Sequence, residues 1–391
     1  MRVQLDADLR SIRCQGGRCD AARVFHPENA CYGRRVPPVY DRVLRFIDDP
    51  AADRFEPLAL AVFAHQFASN PPYQDFCRAH GHTPETVTDW RAIPTVPIVA
   101  FKHAQLCCGA PVRTFLSSGT TEGAANRSRH ALPDLRLYRQ SALVGLREFL
   151  FPDVERMRLV SLIPPIDEQP DSSLAQMAAW AMEVFGDEKS VYAADRQTIA
   201  LDTFVAALRA TSEKGRPLCI LTTTAALIRV LDDCRNRGMT FRLPHGSRLM
   251  DTGGDKGAPR PVSRNGLLHA VWNALAIPGY FVANEYGMAE LSSQHYDSVI
   301  ADRVHGRHRP RRKLSPHWAR AVVVDPDTVE AVPDGTPGLL CHYDLANAGS
   351  VMAVRSEDMG RRDGDGFQLL GRAPRAESRG CSLGAPSWVA A

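Results

Sequence analysis

The chain has 391 residues, 44% of them hydrophobic, which is enough for a sizeable core in one large domain or in two to three smaller ones. Its 47 basic and 44 acidic residues give a net charge of +3, which is too weak to indicate nucleic acid as the main partner. No apolar run approaches the roughly 18 residues that span a bilayer, and the N-terminus lacks the apolar core of a signal peptide. We therefore expect a cytoplasmic protein without a membrane span.

The first residues of the chain contain four side chains that could bind a metal. They are Cys14, Cys19, His26 and Cys31, in a spacing that fits no standard zinc knuckle. A loosely ordered extension with incidental cysteines is the favoured interpretation, and a metal site is the alternative. Without an export signal, the ten cysteines are expected to be reduced thiols. Residues 1–50 are thus predicted to be an N-terminal extension.

Helical periodicity begins near Phe55. A helix is predicted over Glu56–Ser69, where Asn70-Pro71-Pro72 ends it. Trp90–Phe101 is predicted to be an extended, proline-punctuated segment, and its apolar end, Val96–Phe101, is predicted to be a strand that leads into the next loop.

That loop lies within Phe115–His130, which reads FLSSGTTEGAANRSRH. Two serines, two threonines and two glycines within seven positions supply hydroxyls and a backbone that can fold tightly around an anion. The chain has neither the P-loop spacing nor the dinucleotide pattern G-x-G-x-x-G. A polyphosphate-binding loop is therefore one interpretation, and a solvated turn is the other.

Beyond the loop, apolar strands alternate with helices, which is typical of an α/β layer with a largely parallel sheet. Strands are predicted at Leu159–Ile163, Leu218–Thr222, Arg248–Asp251 and Tyr280–Ala283. Helices are predicted from an N-cap at Asp134 through Leu150, at Ser173–Phe185, near Leu201–Ser212, and at Ala225–Arg237 and Val262–Ala276. Short strands follow at Ala319–Val324, Gly338–Tyr343 and Ser350–Val354, so the C-terminal third is predicted to be β-rich.

A dense basic run, Arg303–Lys313, precedes those short strands. We predict a solvated loop there. A site that attracts an anionic cosubstrate or an acidic carrier protein is the alternative.

Four motifs occur in a telling order: SSGTTEG, TGG, EYGMAEL and SEDMGRRDGDGFQLLGR. This order resembles the adenylate-forming superfamily that includes acyl-CoA ligases. Within it the chain is most similar to the LuxE-type acyl-protein synthetases, as shown by IPTVPIVAFK, PIDEQPDSSLAQM, MDTGGDKG, EYGMAELSSQ and RGCSL. The resemblance covers about Phe55–Leu383. It implies the α/β large domain of an adenylate-forming enzyme over 51–372 and a short tail over 373–391, without the usual mobile C-terminal domain that carries a catalytic lysine.

The resemblance also implies a site for ATP and Mg²⁺. The loop around the ATP phosphates would consist of Ser117, Ser118, Gly119, Thr120, Thr121 and Gly123. Gly253 and Gly254 would lie beside the adenine and the acyl channel, and Tyr286 and Gly287 would border the nucleotide.

Three further residues carry charge in the implied site. Glu290 would hold Mg²⁺, Asp358 would bond the ribose hydroxyls, and Arg372 would lie near the ribose or phosphate. Such roles suit the chemistry, because a carboxylate that attacks the α-phosphorus must overcome the repulsion between two anions.

Two positions depart from the superfamily pattern. Ala289 stands where a threonine is expected before the motif glutamate, so one hydroxyl contact is missing and weaker activity is expected. No proline-lysine follows the phosphate loop. Arg127 and Arg129 could replace that cation or could be surface residues.

The implied activity is ATP-dependent activation of a carboxylic acid, in this family a fatty acid, and its transfer to a thiol as a thioester. Cys381 would be the acyl acceptor, with Arg375 and Arg379 lowering its pKa and Gly380 and Gly384 letting the tail swing. A partner acyl reductase, acyltransferase or carrier protein would then take the acyl group.

Two alternatives remain at this point. One is a ligase that acylates coenzyme A or a carrier protein. The other is a catalytically weak nucleotide-binding subunit of an acyl reductase or synthase complex, which Ala289 keeps open. A hydrolase is disfavoured because the chain has no G-x-S-x-G elbow.

Overall fold

One large β-sheet changes character along its width, from parallel strands to antiparallel ones. It appears in a computed structural model that describes residues 37–118, 127–254 and 259–373. The strands of the described part are β1 Val96–Pro97, β2 Arg113–Leu116, β3 Arg129–Leu132, β4 Arg158–Ser161, β5 Val191–Tyr192, β6 Leu218–Thr223, β7 Arg248–Thr252, β8 Val282–Tyr286, β9 His295–Asp297, β10 Lys313–Leu314, β11 Ala319–Val324, β12 Pro337–Asp344, β13 Ala353–Asp363 and β14 Gly366–Arg372. The large sheet has the order β11-β12-β13-β14-β10-β9-β8-β7-β6-β4-β5, and β1 pairs with β13.

The helices cover the parallel half and the N-terminal side. They are α1 Pro38–Asp48, α2 Phe55–Ser69, α3 Pro71–Ala79, α4 Ala100–His103, α5 Arg136–Phe149, α6 Ser173–Phe185, α7 Leu201–Lys214, α8 Thr224–Asn236, α9 Arg264–Leu275 and α10 Val299–Val304. None of the helices in the described ranges has the length and apolarity that a membrane crossing requires.

The parallel half consists of β5, β4, β6, β7 and β8. Strands β6 and β7 are buried along almost their whole length, as expected where helices cover both faces of a parallel sheet. Helix α6 begins after Ser172, whose hydroxyl accepts a hydrogen bond from Ala175 N, and α8 begins after Thr223, which caps it in the same way. The predicted alternation of strands and helices is confirmed, and the predicted helix Ser173–Phe185 has the observed bounds.

The antiparallel half begins where β9 pairs with β8, and it continues through β10, β14, β13 and β12 to β11. The predicted β-rich C-terminal third is confirmed. Strand β13 lies four places from β8 in the sheet, yet the hydroxyl of Tyr286 on β8 bonds Asp358 on β13 at 2.8 Å. The sheet therefore curls, and this curl brings residues of both halves to one place.

The prediction of a strand over Val96–Phe101 is wrong for most of its length. Only Val96 and Pro97 pair with β13, and Ala100–His103 is helical. Pro97 has no N–H for a sheet ladder, which limits a strand at this point. The strand that leads into the hydroxyl-rich loop is instead β2, and its hairpin partner is β3.

The basic run Arg303–Lys313 is only partly the predicted solvated loop. Residues 303–310 are exposed, but Arg311 donates to the carbonyls of Gly279 and Val282 at 2.7 and 2.8 Å. Lys313 is 5% exposed and pairs with Asp297 at 3.0 Å. Because sequence alone does not show the buried partner Asp297, the internal end of the run was not predictable.

Helix α1 belongs to the same compact unit as the rest of the described chain, which runs from Pro38. The sequence analysis assigns this helix to the extension, but Tyr40, Val43, Phe46 and Ile47 are buried. Cys14, Cys19, His26 and Cys31 lie outside the described residues, so the metal-site alternative stays a prediction.

Candidate functional site

The hydroxyl-rich loop starts and ends at the tip of the β2–β3 hairpin. Ser117 N donates to Ser128 O at 3.1 Å, and Ser128 N donates to Ser117 Oγ at 3.0 Å. These bonds close the neck of the loop. Ser118 is exposed above the neck. Gly119, Thr120, Thr121 and Gly123 lie outside the described residues, so their phosphate contacts remain predictions.

Arg127 stabilises the neck of the loop. Its guanidinium pairs with Asp171 at 2.7 Å and donates to the carbonyls of Ser117 and Leu116. The charge of Arg127 is therefore compensated at the base of the loop, which does not favour it as the substitute for the missing lysine. Arg129 is an exposed residue of β3.

Glu290 lies beside the neck and is 3% exposed. Burial raises the pKa of this carboxyl, and a hydrogen bond from the Ser128 side chain and the charge of Arg372 lower it again. The negative charge of Asp358 also acts on it, in the raising direction. A buried carboxyl with only this partial compensation is neutral unless a cation binds beside it.

Asp358 is held by a buried tyrosine. Tyr286 Oη donates to Asp358 Oδ2 at 2.8 Å. The phenol oxygen of Tyr286 also lies 3.3 Å from His342 Nε2. Burial lowers the pKa of His342 to about 3, so this imidazole is neutral and can donate to the phenol oxygen. Burial also raises the pKa of Asp358, and the bond from Tyr286 opposes that rise. The tyrosine thus orients an acceptor carboxylate.

A β-bulge brings Arg372 opposite Asp358. Gly360 pairs with Leu369, but Met359 pairs with Gly371 and Asp358 with Arg372, so Leu370 is an extra residue of β14. In an unshifted register, Gly371 would face Asp358. The guanidinium of Arg372 lies 3.8 Å from the Asp358 carboxylate and its side chain is 72% exposed, so it can reach a ligand.

The TGG turn follows β7 directly. Gly253 has φ +74°, in the left-handed region that favours glycine, and Thr224 Oγ1 donates to its carbonyl at 2.9 Å. Gly254 is exposed, and a side chain added at either glycine would meet no atom within 4 Å. The turn thus leaves open space beside its backbone.

A cavity of about 200 Å³ lies between the carboxyl end of β4 and the start of α8, and none of the candidate site residues that the structure describes lines it. Its lining includes Leu162 at the end of β4, residues 194–199, and Ala225 and Ala226 directly after Thr224. Crevices at the carboxyl ends of parallel strands are where open α/β sheets bind ligands.

Asn347 fixes the backbone at Glu290, and the sequence analysis did not identify this residue. Its Nδ2 donates to the carbonyls of Glu290 and Val351 at 3.0 and 2.7 Å, which directs its Oδ1 to His130 Nε2 at 2.8 Å. Burial lowers the pKa of His130 to about 4, so the ring is neutral and donates. The available signal was the polar segment YDLAN at the end of an apolar strand.

Asp344 completes this support. Its carboxylate accepts hydrogen bonds from Ser292 N at 2.9 Å and from Ser293 Oγ at 2.5 Å. The segment that follows Glu290 is therefore fixed by buried hydrogen bonds, which hold the glutamate in one position.

The structure thus brings Ser117, Tyr286, Glu290, Asp358 and Arg372 to one crevice, along with the missed residues Ser128 and His342. The family comparison bears on what this crevice does. A family model described as "Acyl-protein synthetase, LuxE" matches residues 41–387. The chain belongs to the LuxE acyl-protein synthetase family. A comparison with curated protein sequences finds no match.

Solved structures of 2-hydroxyisobutyryl-CoA ligase share the fold. In the open conformation with 2-HIB-AMP and CoA, the TM-score is 0.57 at 14% identity, over 80% of this chain and 73% of the ligase. In the thioesterification state with the same ligands it is 0.60 at 14% identity, over 86% and 69%. In the postadenylation state with 2-HIB-AMP it is 0.58 at 14% identity, over 81% and 67%.

These findings confirm two predictions, the adenylate-forming fold and the resemblance to LuxE. Family and fold together support an AMP-forming ligase that uses ATP to activate an acyl group for thioester formation. Cys381 lies outside the described residues.

Proposed function

We propose that this LuxE-family protein is an ATP-dependent acyl-protein synthetase that acts on a fatty acid. The acid's carboxylate oxygen attacks the α-phosphorus of ATP, a P–O bond forms, and pyrophosphate leaves. A thiolate then attacks the acyl carbon of the adenylate, a C–S bond forms, and AMP leaves.

The main observation behind this proposal is that three groups lie together at the neck of a hydroxyl-rich loop. They are the acceptor carboxylate Asp358, the buried acid Glu290 and the exposed cation Arg372. Asp358, oriented by Tyr286, suits the two hydroxyls of a ribose. Arg372, 3.8 Å from that carboxylate, suits the adjacent phosphate.

The backbone around this crevice is proposed to receive the rest of the nucleotide. Ser117, Ser118, Gly119, Thr120, Thr121 and Gly123 would surround the phosphates. Gly253 and Gly254 would let the nucleotide and the acyl group approach the backbone closely, and Gly287 would border the nucleotide.

The donor set fits Mg²⁺ only if the ion arrives with the nucleotide. Within the described residues, no three His, Cys, Asp or Glu side chains are grouped so that they could hold a metal. Mg²⁺ commonly binds one or two carboxylates together with substrate phosphates, and the buried Glu290 supplies one such carboxylate. The ion would neutralise phosphate charge during the attack.

Cys381 is the proposed acyl acceptor. Six of the ten cysteines lie in the described ranges, and five of these six are buried. Burial raises the pKa of Cys107 and Cys341 to about 11 and that of Cys219 to about 12, which disfavours their reactive thiolates. Cys108 as a whole is only half-buried, but burial raises the pKa of its thiol as well.

Thiols outside those ranges are therefore the better candidates. Among them, Cys381 follows the adenylation motifs and has Arg375 and Arg379 close in sequence, which would favour its thiolate. A partner acyl reductase, acyltransferase or carrier protein would accept the acyl group from this cysteine.

Acylation with ATP and a radiolabelled fatty acid tests the acceptor. We expect hydroxylamine-sensitive label on the wild type and on the control Cys108→Ser, and none on Cys381→Ser. All three proteins should still catalyse acid-dependent ATP–pyrophosphate exchange.

Label on Cys381→Ser would show that another thiol is acylated, with Cys14, Cys19 and Cys31 next to be replaced. Absence of label on every protein, together with acyl transfer to coenzyme A, would identify a CoA ligase instead. A wild type without exchange would identify a catalytically weak subunit, the outcome that Ala289 makes worth testing.

A further inference from the structure

Glu285 is a buried acid that the proposed reaction does not use. It is 4% exposed on β8, and its Cα lies opposite that of Thr252 on the neighbouring parallel strand β7. The Thr252 hydroxyl bonds Glu285 Oε2. Because Gly253 follows Thr252 directly, this bond fixes the base of the TGG turn.

The second carboxylate oxygen, Glu285 Oε1, faces Gly287, the glycine that follows β8. A Cβ built on Gly287 would lie 2.5 Å from Glu285 Oε1, a distance that real Cβ atoms do not show. The carboxyl group therefore fills the space that a side chain at 287 would need. One side chain thus contacts Thr252 at the end of β7 and Gly287 directly after β8.

Several charged or titratable groups surround Glu285. Lys313 on β10 attracts its charge, and Asp251 on β7 repels it. Three tyrosines also interact with it, Tyr138 on α5, Tyr286 on β8 and Tyr296 on β9.

None of these groups takes the place of the bond to Thr252. Lys313 Nζ is bonded to Asn284 at 2.6 Å and to Asp297 at 3.0 Å, and Tyr138 Oη donates to Ser173 O at 2.8 Å. The position of the Glu285 carboxyl is therefore set by Thr252 and by the packing against Gly287.

We infer that Glu285 is a positioning residue that locks the TGG turn and the Tyr286-Gly287 turn into one geometry. The inference rests on the proposed function, because both turns border the nucleotide and the acyl group only in that proposal. Burial raises the pKa of Glu285 to about 7, so its charge changes near neutral pH. The strength of its hydrogen bond with Thr252 should change with that charge.

Steady-state pyrophosphate exchange with Glu285→Ala and Glu285→Gln tests the lock. We expect Glu285→Ala to lower kcat roughly tenfold, and Glu285→Gln to restore most of it because an amide still fills the space and bonds Thr252. The ratio of the Glu285→Gln rate to the wild-type rate should change across pH 7, since only the wild-type group titrates. The exposed residue Glu330 offers a matched control, Glu330→Gln, that should follow the wild type at every pH.

A double-mutant cycle with Gly287→Ala separates positioning from general stability. In the wild-type background the new methyl group meets the carboxyl, and we expect a loss of roughly tenfold or more in kcat. In the Glu285→Ala background that contact is gone, and the added loss should be less than about threefold. Unfolding midpoints of all four proteins are the check that each is folded in the assay.

Two results would overturn the inference: full activity of Glu285→Ala, or an equal loss from Gly287→Ala in both backgrounds. Failure of the proposed function would look different, because the wild type itself would exchange no pyrophosphate with any acid. The cycle is then read from unfolding midpoints alone. Equal destabilisation by Gly287→Ala in both backgrounds would again count against the lock.

Discussion

Replacing Tyr286 with phenylalanine removes one oxygen and leaves Asp358 without its 2.8 Å hydrogen bond. A hydrogen bond to a charged group contributes about 1.5–3 kcal/mol, which sets roughly 10- to 150-fold as the upper limit for the loss of ligand affinity at Asp358. Because a ribose contact is made in both ground and transition states, the KM for ATP should rise while kcat changes little. The effect should grow as pH falls, since the lost bond opposed the raised pKa of Asp358.

Pyrophosphate exchange with ATP and with 2′-deoxy-ATP measures this. In the wild type the deoxy analogue should bind more weakly, and in Tyr286→Phe the difference between the two nucleotides should shrink. Tyr343→Phe is a matched control, because that buried hydroxyl donates to the carbonyl of Arg91 and not to a site residue. An unchanged KM for ATP in Tyr286→Phe would refute the role assigned to the Tyr286–Asp358 pair.

Two further predictions concern stability. Asn347→Asp keeps the side-chain shape but cannot donate to the carbonyls of Glu290 and Val351, so denaturant unfolding should show a loss of at least about 2 kcal/mol, and an unchanged midpoint would contradict the support role. The folded pKa of Glu285 is about 7 against an ordinary 4.5, so the free energy of unfolding should fall by about 3 kcal/mol as pH rises through that window. Glu285→Gln should remove this part of the decline, and an identical pH dependence in both proteins would contradict it.

The parallel half could be predicted from sequence because its signals are local. Apolar runs such as Leu218–Thr222 and capped amphipathic helices such as Ser173–Phe185 carry their own periodicity. The order of the glycine-rich and acidic motifs then supported the resemblance that grouped their residues into one implied site.

The hairpin that presents the loop could not be predicted in the same way. Strand β2 has four residues, of which only Phe115 is buried, so no apolar alternation marks it. The neighbouring run Val96–Phe101 is more apolar and gave the wrong strand. Val96 and Pro97 pair with β13, a long-range contact that the local sequence does not show.

The arrangement of the site residues depends on a long-range register that the sequence does not show. Arg372 faces Asp358 only because Leu370 is an extra residue in β14. Asn347 reaches His130 across 217 positions of the chain, and Glu285 matters because its strand neighbour is Thr252. Such pairings follow from the three-dimensional arrangement of strands and leave no local pattern.

Acid-dependent ATP–pyrophosphate exchange by the wild type and Glu290→Gln tests the central claim most directly. The wild type should exchange pyrophosphate only when a suitable fatty acid is present. Glu290→Gln should lose at least about 2–3 kcal/mol of transition-state stabilisation, roughly a 30- to 150-fold lower rate, while Glu330→Gln should match the wild type. Equal exchange by Glu290→Gln and the wild type would contradict the account of this crevice as a metal-assisted adenylation site.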